Sequence, residues 1–330
     1  MTTRVRNIVR YGSYFALLLC FLAVHTTDSF GQKKEYPERA IKIIVTTTAG
    51  GVGDLWVRAW SEDFSKMLKV PVVIVNEGGA SGMTALIDAA DAKPDGYTLV
   101  DITQSLVVGF ALSSKPPFDL FKDFVPIGGF GSFPTLIVVE QSSPFMTYED
   151  VMDYARKNPG KLKCATSGVT MVSHFNLELL KQHTKVDIVL VPFKTGPQAL
   201  TATLGKHVDL LTLPPQSAVS LLKAGRLRAL LTTQKLKDFP NVPLFSDKGL
   251  KEAGMSSWIG MFAPSDIPKE IHKKLVDTFE KIAKDPALME RIEKLNFTPD
   301  YQTPEELAMT LKRDYEKIKV VAKQAGISEQ

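Results

Sequence analysis

The chain has 330 residues, 44% of them hydrophobic and 23% charged, which excludes a disordered chain and suits two domains better than one. A formal net charge of only +4, with no Lys/Arg block interleaved with aromatics, argues against a nucleic-acid surface. The five histidines (His25, His174, His183, His207 and His272) form no His-Glu-x-x-His pattern and there are only two cysteines, so no metal centre and no cofactor are expected.

Arg4, Arg6 and Arg10 precede the apolar run Tyr14–Val24, the layout of a secretory signal too short to span a membrane comfortably. Ser29 and Gly31 place a cleavage before Gln32, making residues 1–31 the signal; a retained membrane anchor is the alternative. Cys20 lies inside the apolar run, which argues against a lipoprotein. Loss of residues 1–31 removes three Arg and Asp28, leaving a net charge of about +2, and leaves Cys164 without a disulfide partner. A lone Cys of this kind reads as a small buried residue.

Ile41–Thr46 reads as a strand, followed by a Thr/Gly loop and a helix over Leu55–Leu68. Backbone N–H groups and the positive end of a helix dipole meet at such a corner, which suits an anion or a polar ligand. The loop holds no Lys, Cys or His, so it can hold a ligand but has little means to transform one. Pro71–Asn76 is a second strand, Glu77–Gly82 a Gly-rich turn, Met83–Ala92 a helix, and Tyr97–Thr103 a strand after the Asp95-Gly96 turn. This alternation predicts an α/β layer with a largely parallel sheet.

The pattern restarts with a strand at Pro134–Glu140 and a helix at Thr147–Asn158, capped by Thr147 with Asp150 three residues on. Strands follow at Lys163–Thr166, Ile188–Pro192, Val208–Leu213 and Leu227–Thr232, with helices at Val172–His183, Gln198–Gly205 and Ser217–Ala224 between them. The stretch Trp258–Pro264 reads as the chain crossing back between two α/β units. Pro268–Lys284 is an amphipathic helix, and Thr303-Pro-Glu-Glu306 is a capping box opening another, both structural.

Each unit thus offers one strand–loop–helix corner, Thr46–Asp54 and Ala165–His174, and two such corners facing each other would make an interdomain cleft. Either could also be an ordinary tight turn. The first is neither a P-loop, since no Gly-Lys-Ser/Thr follows, nor a dinucleotide fingerprint, since Trp56 stands at the third Gly position. No Gly-x-Ser-x-Gly elbow is present, so no catalytic residue is expected. His174 reads as a loop brace or a ligand contact, and Asp54 as a helix-start acid that caps or touches ligand.

A series of short motifs in fixed order then identifies a family. They include Ala-Gly-Gly-x-x-Asp at Ala49–Asp54, Pro71–Gly82 with its Gly-Ala-x-Gly, Pro94–Leu99, Lys122–Ile127, Asn158–Leu162, Val191–Lys194, Ala224–Leu230 and Trp258–Pro264. From Tyr36 onward the chain resembles the periplasmic solute-binding proteins of tripartite tricarboxylate transporters, the Bug or TctC family. The resemblance implies a type II periplasmic-binding-protein fold, with two α/β domains, a hinge and an interdomain ligand cleft. On that pattern residues 32–131 plus 259–330 form domain 1 and residues 132–258 domain 2.

The family's site, carried onto this chain, comprises backbone N–H groups and hydroxyls of two loops that hold a ligand carboxylate, often through ordered water. These are Thr47, Thr48, Gly50, Gly51, Gly53 and Asp54 in the first loop and Ser167, Gly168, Val169, Thr170 and His174 in the second. Thr103 matches a pocket position, and Phe193 and Lys194 a position near the cleft mouth. The chain departs from the family where an aromatic and a Pro usually stand and it has Thr46-Thr47-Thr48, and where Gly53 replaces a Thr. Val169, Met171 and Leu213 point to a less polar acid than citrate, aromatic or monocarboxylate, unless they belong to the core. The expected role is a periplasmic, monomeric, non-enzymatic receptor that passes a small organic acid to transporter subunits in the membrane. A ligand-sensing partner of a two-component receptor and an α/β hydrolase are the alternatives.

Overall fold

Residues 35–166 and 171–327 are described by the structure, a computed structural model; the expected signal segment and Ser167, Gly168, Val169 and Thr170 lie outside the described residues. The chain divides into a short unit, Met1–Glu38, and a second, Arg39–Gln330, which carries every element below. Its first part runs β1 (Ile41–Val45), α1 (Val52–Leu68), β2 (Val72–Asn76), α2 (Met83–Ala90), β3 (Thr98–Thr103), α3 (Gln104–Leu112) and β4 (Phe124–Gly129). Then come β5 (Leu136–Glu140), α4 (Tyr148–Lys157), β6 (Lys163–Thr166), α5 (Val172–Thr184), β7 (Val189–Pro192), α6 (Gly196–Leu204), β8 (Leu210–Leu213), α7 (Val219–Lys223) and β9 (Leu227–Thr232). The chain closes with β10 (Ile259–Pro264), α8 (Lys269–Ala283), α9 (Pro286–Lys294) and α10 (Pro304–Ala325).

The strands form two five-stranded sheets, ordered β2-β1-β3-β10-β4 and β7-β6-β8-β5-β9. Both are mixed, not largely parallel. β1 runs parallel to β2 and β3, and β6 parallel to β7 and β8, whereas β10 and β5 are antiparallel to both of their neighbours. The physical reason is topological. β5 and β10 are the first strands laid down after the chain crosses from one sheet to the other, and each enters its new sheet from the opposite end. Trp258–Pro264 is therefore more than a crossing, since Ile259–Pro264 is a central strand.

Local chemistry explains the elements. Ile41, Ile43, Ile44 and Val45 are fully buried, as the inner strand of a sheet covered on both faces requires. Thr147 with Asp150 and Thr303 with Glu306 form complete capping boxes. The helix α1 is fixed to its sheet by aromatic packing. Trp56, Trp60, Phe130 and Phe279 are essentially inaccessible, and the Trp56–Phe130, Trp60–Phe279 and Phe130–Phe279 centroids lie 5.1, 5.2 and 5.1 Å apart. Such pairs contribute roughly 0.5–1.5 kcal/mol each beyond area burial.

The two crossing segments are tied to each other. Phe133 and Ser257 exchange both backbone hydrogen bonds, at 2.8 and 2.9 Å. Asp300, just before α10, accepts the N–H groups of Gly131 at 3.1 Å and Ser132 at 2.8 Å. Gly131 has φ +92°, a left-handed turn that glycine adopts without strain.

Candidate functional site

The C-terminal ends of β1 and β3 lie side by side, because the two strands are parallel neighbours. The loops leaving them open α1 and α3 at the same end of the sheet. α5 opens after β6 in the other sheet, and its first N–H, that of Val172, reaches the Ser105 hydroxyl of α3 at 3.4 Å. Three helix N-termini therefore gather at the strand tips, the crevice where open α/β sheets bind ligands. None of their N-cap residues, Gly51, Thr103 and Met171, accepts a side-chain cap hydrogen bond. Thr103 has a hydroxyl at the cap position and does not spend it on its own helix. By contrast α4, α6, α9 and α10 are capped by Thr147, Thr195, Asp285 and Thr303. One N–H of each first turn is already taken, that of Asp54 by the Thr47 hydroxyl, that of Gln104 by the Trp258 carbonyl and that of Val172 by the Ser105 hydroxyl, while the dipoles of the three helices favour an anion at this end.

The first loop is shaped from within. Asp54 is 3% exposed, and its Oδ2 accepts the Gly50 N–H at 2.8 Å. Its Oδ1 accepts from Arg58 Nε at 2.8 Å and Asn76 Nδ2 at 3.0 Å. Burial pushes the Asp54 carboxyl up, but the Gly50 N–H, Asn76 and Arg58 together outweigh it and hold it below the usual range. Asp54 is thus placed as a brace of the loop. Thr47 does similar work, since its hydroxyl accepts the Asp54 N–H at 3.2 Å and its carbonyl accepts from Asn76 at 3.0 Å.

Thr48 and Gly50 form the exposed crest, and the Gly51 N–H returns to the Thr48 carbonyl at 2.9 Å. Any Cβ on Gly51 would stand 2.9 Å from Thr47 and from the Thr48 carbonyl, so the loop needs glycine there. The Gly-rich turn after β2 packs against this loop. A Cβ on Gly78 would lie 2.7 Å from the Thr48 nitrogen, and one on Gly82 2.7 Å from the Thr46 carbonyl.

On the other sheet, His174 is 7% exposed in the first turn of α5, with Nε2 3.9 Å from Glu178 Oε1. Glu178 is shared with Lys181 at 2.9 Å. Phe193 is half-buried beside the β6 tip, its N–H donating to the Thr166 carbonyl at 2.9 Å, while Lys194 is exposed. Leu213 is 3% exposed and packs with Ala165 and Ala199, which places it in the core of its layer.

Three residues that shape this site went unread in the sequence. Asn76 ties β2 to the loop, Arg58 neutralises Asp54, and Asp101 in β3 is wholly inaccessible, accepting the Thr46 N–H at 2.6 Å and its hydroxyl at 3.0 Å. A carboxylate inside an apolar strand run is itself a signal. Among the described residues no group of three or more His, Cys, Asp and Glu is arranged to hold a metal ion, and no helix is long and apolar enough to cross a membrane.

Comparison with known proteins agrees with this geometry. A family model described as tripartite tricarboxylate transporter family receptor matches residues 56–327. A UPF0065 protein from the TAR-I ttuE–ttuC' intergenic region of Agrobacterium vitis is 30% identical, covering 88% of this chain and 86% of its own length. Among solved structures, a periplasmic transporter is 32% identical with a TM-score of 0.82, over 89% of this chain and 99% of that one. An R. palustris protein solved with adipate is 26% identical with a TM-score of 0.83, over 89% and 99%. MatC of Rhodopseudomonas palustris, solved with bound malate, is 26% identical with a TM-score of 0.78, over 87% and 99%.

Proposed function

The chain belongs to the tripartite tricarboxylate transporter family of receptors, periplasmic solute-binding proteins with a two-domain α/β fold, and on that premise we propose that its own ligand is a small aliphatic dicarboxylate. The observation that carries this reading is the gathering of the α1, α3 and α5 N-termini, none capped by its own N-cap side chain, at the tips of two sheets. One ligand carboxylate sits on the first loop, Thr47, Thr48, Gly50 and Gly51, over the first turn of α1 at Gly53, with the Thr103 hydroxyl beside it. The second loop, Ser167, Gly168, Val169 and Thr170 ahead of α5, takes the opposite end, with Phe193 and Lys194 at the rim. Asp54 and His174 brace the loops and do not touch ligand. Relatives solved with adipate and with malate support a diacid over the aromatic acid or monocarboxylate expected from sequence.

Residues 32–131 and 259–330 form one lobe and residues 132–258 the other, the tied pair Phe133–Ser257 acting as hinge. The protein is exported with loss of residues 1–31, works as a monomer and delivers its ligand to membrane transporter subunits. Binding requires no covalent step. Charge-assisted hydrogen bonds contribute about 1.5–3 kcal/mol each, so a few of them with some apolar burial reach the roughly −8 kcal/mol of micromolar affinity.

Thermal denaturation with adipate, succinate, malate, citrate, benzoate and acetate tests the reading. At a hundredfold excess over Kd a true ligand adds about 2.7 kcal/mol of apparent stability. Adipate, succinate or malate should raise Tm, and Gly51→Leu or Ser167→Leu should abolish the rise while leaving the unliganded Tm close to that of the wild type. Wild-type affinity in both variants, or no response to any diacid, overturns it.

A further inference from the structure

Behind the proposed seat lies a charge that the binding scheme does not use. Asp101 is fully buried, its Oδ1 accepting the Thr46 N–H and its Oδ2 the Thr46 hydroxyl. A Cβ on Gly53 would stand only 2.5 Å from Asp101 Oδ2. The carboxyl therefore abuts the first turn of α1 from inside, while the ligand carboxylate is placed on that turn from outside.

Among the described residues, the elements packed around it place no counter-charge in direct contact with it. On β1 the neighbouring residues are Ile44 and Val45, on β10 the register partner is Met261, and the buried faces of α2 and α3 are apolar apart from Gln104. The buried charged group of α1 is Asp54, and the exposed Arg58 beside it is bound to Asp54. Burial, with the negative charge of Asp54 adding to it, pushes the Asp101 carboxyl up to about 6 against the opposing bonds from Thr46. A second anion arriving at the α1 N-terminus pushes in the same direction, because like charges disfavour each other's ionised form.

We propose, on the seat assigned above, that Asp101 is a positioning residue of the carboxylate site and that it takes up a proton when a ligand carboxylate docks. The proton comes from solvent and forms an O–H bond at Oδ2. That O–H then donates to the Thr46 hydroxyl oxygen, while Oδ1 keeps the Thr46 N–H. Thr46 stays in place in either state, so the loop keeps its shape as the buried charge disappears. Asp101→Asn mimics the protonated form, with Oδ1 accepting and Nδ2 donating.

The test follows the Thr46 backbone amide by NMR across pH, with and without saturating adipate, alongside calorimetric Kd values for wild type and Asp101→Asn. In the wild type the Thr46 signal should step as Asp101 titrates, and adipate should move the midpoint upward. Each unit of that movement equals a tenfold loss of affinity between the acid and alkaline sides of the step. In Asp101→Asn the step should vanish, and adipate should bind more tightly than to wild type at alkaline pH, with no dependence on pH beyond the titration of its own carboxyls. A midpoint that adipate leaves unmoved, while the amides of residues 47–54 respond, overturns the proton uptake and spares the seat. Binding that leaves residues 47–54 unmoved overturns the seat and this proposal together, as does a lack of binding by adipate, succinate and malate alike. An Asn variant with the wild-type pH profile overturns the role of Asp101.

Discussion

Asp54 and Asp101 are both buried next to the first loop and meet opposite fates. Asp54 has Arg58, Asn76 and the Gly50 N–H and stays ionised; Asp101 has the two bonds from Thr46 and its own backbone N–H, none of them from a charged group, and holds its proton up to about 6. A carboxyl whose folded value lies above its unfolded 3.8 favours the folded state most at acid pH. That advantage is lost as pH rises from the unfolded value through about 6. Asp101→Asn should therefore be more stable than wild type by up to about 3 kcal/mol above neutrality, with the gain disappearing towards pH 4. Urea denaturation at both ends of this range measures it, and an equal difference at both ends would count against a raised value. Gly53→Ala forces a methyl against Asp101 Oδ2 and should cost about 1–3 kcal/mol, most of it restored in Gly53→Ala/Asp101→Ala, by the same measurement. The sequence made Asp54 readable, because an acid in the first turn of a helix is a local signal. Asp101 stands out only as an acid within an apolar strand run; its role is not legible, because its partner Thr46 is 55 residues away.

At the level of elements, each site helix is hydrogen-bonded to the chain at or beside a crossing. Trp56 Nε1 of α1 donates to the Phe130 carbonyl at 2.6 Å. The Asn176 amide of α5 makes two 2.8 Å bonds to the Met255 backbone, like a strand partner. Gln104 of α3 and Trp258 both donate at 2.8 Å to Asp314 Oδ2, so α10 clamps a helix start to the second crossing. Asp314→Ala would leave both buried donors unsatisfied and should cost about 2–4 kcal/mol, with Asp314→Asn losing less because an acceptor remains. Chemical denaturation decides, and a cost below 1 kcal/mol for Ala would show that water replaces the carboxylate. Helices with a capping box or clear periodicity are legible in the sequence: α4 and α8 within a residue at each end, and the start of α10 at its Thr303–Glu306 box. Three other elements were not. α3 (QSLVVGFAL) is apolar nearly all round, so no period shows. β4 contains Pro126, tolerated because β4 is an edge strand that pairs Pro126 with Phe262 at a register shift. α9 did carry a signal, Asp285 ahead of Pro286 at the first helical position, that went unread.

For the molecule as a whole, the exchange of strands between sheets matters more than either sheet. β5 and β10 each stand inside the sheet opposite to the one the chain has just left, so the two layers are joined through Phe133 and Ser257 and not through a loose linker. One contact between them away from the crossings is the Val172 N–H on the Ser105 hydroxyl, across the strand tips where the ligand is proposed to sit. If the layers open about the crossings, as hinged α/β receptors do, this contact must part before ligand enters or leaves. A Ser105→Cys/Val172→Cys pair tests that directly. Cys164 is buried and its thiol is pushed up to about 12 by burial, so it stays out of the exchange. With the disulfide reduced, adipate should exchange as in wild type. With it oxidised in the presence of adipate, release should slow at least about tenfold, and oxidised without adipate the protein should take none up, because a covalent bond removes the open state from the ensemble. Stopped-flow displacement of bound adipate reads both rates, and identical rates in the oxidised and reduced forms would mean that ligand enters without separation of α3 from α5.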